Sequence, residues 1–245
     1  MLASASEAHW QHTRYIENSF VTIALGREHG RAKGRLNKWV SAIRFSISDY
    51  TADNELHQQM TSQHLSHLAS ITGLDITPSQ PPERANLQII FASENALDTL
   101  LQSDFAITNP SLRDQLSRNG VCFAWLPVTE SAISQAKVII PVDRARAHGK
   151  LMACVVEELT QALGLANDSD TVFPSIFNDH SHNDFLTGLD FVLLKLMYHP
   201  AFQPGMTEKQ VRQMIRHLLA QPDFQSLIDN AERMVKVDSL ENWLD

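Results

Sequence analysis

No stretch of the 245 residues approaches the roughly 20 continuous apolar positions needed to cross a bilayer. The opening segment, MLASASEAHW, lacks the basic and apolar regions of a secretory signal. The chain as written is therefore expected to be soluble, and a mature exported form with its signal removed would have the same residues. Basic residues are too few for general nucleic-acid binding, since 20 Lys and Arg stand against 28 Asp and Glu for a formal net charge of −8. One local basic cluster, Arg27, Arg31, Lys33, Arg35 and Lys38, reads as a solvated loop. Internal repeats and low-complexity tracts are lacking. Cysteine is scarce: Cys122 and Cys154 are the only two. They permit a single bridge in an oxidising compartment and read as small buried hydrophobes in a reducing one. No local motif activates either thiol as a nucleophile.

What is present suffices for a full core, with 43% hydrophobic and 20% charged residues. The most informative stretch is LMACVVEELTQALGLANDSD, residues 151 to 170. Leu151, Met152, Val155, Val156, Leu159, Ala162 and Leu163 follow the spacing of one buried helix face, and Gly164 ends it as a C′ residue does. At about 100° per residue, Glu157 and Gln161 sit one turn apart on the opposite face and Glu158 is turned away from them.

The rest reads as an α+β chain. Alternation over Lys38 to Ile47 suggests a strand, and Asp53 is placed to cap a helix running to about Thr72, with Leu56, Met60, Leu65, Leu68 and Ile71 as its stripe and Gly73 as its stop. His57, His64 and His67 on that helix are explained as surface positions, and His148 is unremarkable. Leu87 to Ala92 reads as a buried strand, Ser93 as the N-cap of a helix to about Gln102, and Val121 to Leu126 and Ala136 to Val142 as further strands leading directly to the 151 helix. Thr187 with Asp190 and Thr207 with Gln210 are capping-box starts for helices stopped by Pro200 and Pro222. Three segments follow: an N-terminal extension 1–35, an α+β part 36–170 with the helix behind a mixed sheet, and a helical part 171–245.

Set against the zinc-peptidase motif H-E-x-x-H-x-x-G-x-x-H, the 157–167 stretch keeps the glutamate as Glu158 and the glycine as Gly164. Glu157, Gln161 and Asn167 stand where the three histidines belong. Zinc in a hydrolytic site takes imidazole or carboxylate ligands and activates a water. Glu157 qualifies as a ligand; the amides of Gln161 and Asn167 offer only neutral oxygens, better suited to calcium or magnesium. Glu158 holds the position of a general base without an evident metal-bound water to act on. His180 and His182, flanked by Asp179 and Asp184, are the remaining imidazoles able to complete a metal site, although a loop of Asn, Asp, Ser and His also reads as solvated turn.

VVEELTQALGL at 155–165, NDSD at 167–170, PSIFND at 174–179, LTGLD at 186–190 and LLKLMYHPAFQPGM at 193–206 together resemble the bacterial family called domain of unknown function 2927, grouped with the zincin metallopeptidases. The resemblance covers about residues 35 to 206. It implies a zincin-like fold: a twisted mixed sheet, an active-site helix, and a helical C-terminal part closing the cleft. PSIFND resembles the segment where metzincins place a methionine turn, with Phe177 in the methionine's place, and LTGLDFVLLKLMY resembles the helix after that turn.

The resemblance and the cysteine pair together imply export to the bacterial cell envelope, as a periplasmic protein or lipoprotein, with Cys122 and Cys154 bridged. The expected function is that of a degenerate metallopeptidase homologue, without a cofactor, that binds a peptide or protein. The alternative is a hydrolase using Glu158 with zinc or a hard divalent cation, for which Glu157, Gln161, His180 and His182 are the candidate ligands.

Overall fold

The computed structural model describes residues 10–26, 34–105, 107–127, 132–178, 180 and 182–243. Five strands form one mixed sheet: β1 Ile43–Asp49, β2 Ile76–Pro78, β3 Leu87–Ala92, β4 Phe123–Trp125 and β5 Ala136–Pro141, in the order β2-β1-β3-β5-β4. The pairs β1–β2, β1–β3 and β3–β5 are parallel, and β4 runs antiparallel to β5 at the edge. In the centre, Ile89 pairs with Ile47 on one side and Val138 on the other. The sequence LQIIFA is apolar on both faces because both faces are covered. Leu87, Ile89 and Phe91 enter the main core, whereas Ile90 and Ala92 enter a smaller cluster with Leu97, Leu101, Phe105 and Ile139.

Helices cover this sheet and extend beyond it. In chain order they are α1 Thr13–Leu25, α2 Asn54–Thr72, α3 Leu97–Ser103, α4 Pro110–Asn119, α5 Val142–Ala147, α6 Leu151–Gln161, α7 Gly188–Met197, α8 Glu208–Leu219 and α9 Pro222–Met234. α1 packs on α7 and α8, α2 on α6 and α7, and α7 on α9. One continuous apolar core runs from Trp10 to Leu240, so residues from all three segments drawn from the sequence share it. Among the described residues no helix is long and apolar enough to cross a membrane.

Several elements fall where the pattern puts them. β3 has the expected bounds, α2 ends at Thr72 with Gly73 in the left-handed conformation (φ 74°), and Thr187 with Asp190 forms a complete capping box. Others are corrected. The first strand begins at Ile43, not Lys38, because Trp39 turns its indole into the core and Val40 is exposed. Asp53 occupies the N-cap position of α2, but its carboxylate pairs with Arg146 at 2.7 Å and caps nothing. Leu56 is exposed, and His57, His64 and His67 are buried at 0%, 1% and 1%, so the imidazoles belong to the packed face of α2. A short helix, α5, separates β5 from α6. Pro222 ends nothing; it is the first residue of α9, where its missing N–H costs no hydrogen bond. Of the basic cluster, Arg27, Arg31 and Lys33 lie outside the described residues. Lys38 is buried, donating to the Phe202 carbonyl at 3.1 Å.

Candidate functional site

α6 buries Val155, Val156 and Leu159, and the turn after it buries Ala162 and Leu163, as the spacing requires. The carbonyls of that turn are held by side chains from distant parts of the chain. The Trp39 indole N–H donates to Ala162 O at 2.9 Å and the Tyr198 hydroxyl to Leu163 O at 2.6 Å. Cys154 on α6 is joined to Cys122, just before β4, by a disulfide with Cα atoms 5.8 Å apart. Helix, edge strand and following turn are thereby fixed to one another.

Gly164 has φ 110°, and a Cβ there would lie 2.5 Å from Asn37 O and 2.6 Å from Met197 Cε. Only glycine combines that backbone conformation with that approach. Glu158 and Gln161 are buried, at 5% and 8%, while Glu157 is half-buried. Gln161 Nε2 donates to Asp168 Oδ1 at 2.6 Å. Asn167 Nδ2 donates to Thr22 O near the end of α1 at 3.1 Å and to Asp168 O at 2.9 Å. The two amides therefore meet at Asp168, one on its side chain and one on its main chain. Asp168 is the residue of this group that sequence reasoning missed; it stands inside NDSD, but no spacing rule shows which acid of that run turns back towards α6.

The 174–179 segment is built around a buried carboxylate. Asp190 Oδ1 accepts from the Ser175 hydroxyl at 2.6 Å, and Oδ2 accepts from the N–H groups of Ile176 at 3.0 Å and Thr187 at 2.9 Å. Burial pushes the Asp190 carboxyl up to about 6, against these hydrogen bonds, which pull it down. The capping box at Thr187 was legible in the sequence; that the same carboxylate also anchors the PSIFND turn was not. Phe177 is fully buried, and its carbonyl accepts from Ser169 N–H at 2.8 Å, tying the turn to the NDSD run.

His180 is exposed, with Nε2 3.4 Å from Asp170 Oδ1. His182 lines a cleft of about 730 Å³ together with Trp10, Phe173, Asp184 and Glu232. Asp184 in turn pairs with Lys150 at 3.0 Å. Asp179 lies outside the described residues. Among the described residues, no three His, Cys, Asp or Glu side chains are grouped as ligands of one ion.

A family model described as "Protein of unknown function (DUF2927)" matches residues 13–217. No curated protein and no solved structure gives a match.

Proposed function

The chain belongs to the DUF2927 family, and from that premise we propose that it is a zincin-like protein that has lost the zinc site and binds a peptide or protein in the cell envelope. The observation that carries this reading is the commitment of the two amides. Gln161 and Asn167 stand where the zincin motif places imidazoles, and both are engaged with Asp168, Asn167 also with Thr22 O. Neutral amide oxygens are poor zinc ligands, and the bonds donated by the two N–H2 groups fix how these side chains are held. The residues present do not fit zinc, and no catalytic step is assigned to one. The preserved Gly164 turn, with its close approach to Asn37, supports descent from the same helix-and-stop architecture.

Binding is supported by the edge strand. Among the described residues β4 has one neighbour in the sheet, β5, and it lies beside α6, to which the disulfide holds it. An edge strand next to a helix with a half-buried carboxylate suits an extended peptide that pairs through its main chain and presents side chains to Glu157. The disulfide also supports the envelope, since such bonds persist in oxidising compartments.

The test is to purify the protein without chelator, measure its metal content, and screen binding and cleavage of a peptide library. The expected outcome is sub-stoichiometric zinc, no proteolysis, and peptide binding weakened by Glu157→Ala at unchanged folding. Stoichiometric zinc with proteolysis abolished by Glu158→Gln would overturn the reading in favour of a hydrolase. Glu158 supports that rival by its burial, a common setting for a general base.

A further inference from the structure

Two buried imidazoles on α2 face two different parts of the molecule. His64 Nε2 lies 3.0 Å from Val156 O and 3.1 Å from Thr160 Oγ1, both on α6. Val156 O can only accept, so His64 carries a proton on Nε2. One turn on, His67 faces the Val235 carbonyl just beyond α9 and the Asp238 carboxylate, and its Nε2 is buried with no hydrogen-bond partner. The two rings meet edge to face with centroids 6.1 Å apart. A second proton on either ring places a charge in a packed interface, and two such charges repel at that distance.

We infer that His64 and His67 form an acid-sensitive clasp that holds α2 against α6 and the chain end, and that acidification opens it, loosening the helix that carries the candidate site. The inference is independent of the peptide-binding reading. Burial pulls the His64 imidazole down to about 3, and the nearby His67 adds to this. Burial also pulls His67 down, against the Val235 carbonyl and Asp238, which raise it. Both rings therefore stay neutral in the closed form at pH values where a free histidine is charged. Their contribution is fully present above about pH 6.5 and is lost as pH falls towards the closed-form values, because the open form takes up the protons. Each histidine then favours opening about tenfold per pH unit.

Other ionisable groups surround α2. Asp49 on β1 is occupied by His57 Nδ1 at 2.7 Å. The Asp238 carboxylate faces His67. Asp190 on α7 acts in the opposite sense, since its raised value makes its contribution largest at low pH. It offsets about one of the two histidines between roughly pH 4 and 6, leaving a net slope of about tenfold per pH unit.

The experiment is amide hydrogen exchange across pH 7 to 4.5, corrected for intrinsic rates, together with an NMR titration of the histidine ring protons. Protection of α2 and α6 is expected to fall about tenfold per pH unit below about 6. The His64→Gln, His67→Gln double variant, which keeps amide donors but cannot titrate, is expected to lose that slope. Protection independent of pH would overturn the clasp, and so would ring signals titrating near the free value while α2 stays protected. These wild-type measurements decide the matter even where the double variant fails to fold.

Discussion

Gly164 is the residue whose replacement has the most direct cost. Gly164→Ala places a Cβ 2.5 Å from the Asn37 carbonyl on a backbone at φ 110°, and is expected to destabilise by about 3 kcal/mol, strain and displacement together. Urea unfolding measures it; a loss under about 1 kcal/mol would mean that the turn relaxes. Asp190 makes a pH-dependent prediction. Its folded value, raised to about 6 from an ordinary 3.8, means that its contribution is full below the ordinary carboxyl range and lost as pH rises through about 6. The difference amounts to about 3 kcal/mol between pH 3.5 and 7.5. Asp190→Asn is expected to remove that component, seen by comparing urea midpoints of the two proteins at both pH values. The motif positions themselves were readable in the sequence, because spacing on a helix fixes which side chains share a face. Their partners were not, because Asp168, Thr22 and Asn37 reach them through turns and from a separate helix.

α1 shows what an element can hide. Its sequence, TRYIENSFVTIAL, carries a stripe of Ile16, Phe20 and Ile23 that is fully buried against α7 and α8, with Phe20 5.5 Å from the Phe202 ring. Glu17 on the same helix accepts from Arg212 and Arg216 of α8, and the Arg216 guanidinium holds its carboxyl below the usual range. Phe20→Ala is expected to cost about 4 kcal/mol, read as a shift in the denaturation midpoint; a value typical of a surface site would detach α1 from the core. Strands β1 and β3 and helices α2, α6 and α7 were visible because apolar periodicity agreed with a glycine stop at α2 and α6 and with a capping box at α7. β2 is three residues long, α4 and α5 carry no strong apolar stripe, and α9 was concealed by treating Pro222 as a stop when it serves as a first residue. The histidines of α2 were misplaced for a physical reason: a neutral, hydrogen-bonded imidazole packs in a core, yet its residue type counts as polar in any apolar pattern.

Across the whole molecule, the Cys122–Cys154 bond closes a loop with a sequence separation of 32 and joins the sheet edge to α6. On the chain-entropy account its reduction is expected to lower stability by about 3 to 4 kcal/mol. Equilibrium unfolding with and without reductant checks this; coincident curves would show that the open chain is no less constrained. The indole of Trp39 and the hydroxyl of Tyr198, reaching the Ala162 and Leu163 carbonyls from opposite ends of the sequence, have a kinetic consequence. With the turn that follows it splinted from two sides, α6 has its C-terminal end held in its final shape. On the peptide-binding proposal, a partner docking there would meet no folding step, so its association rate would be set by diffusion and orientation, and affinity differences among partners would reside in how long each one stays.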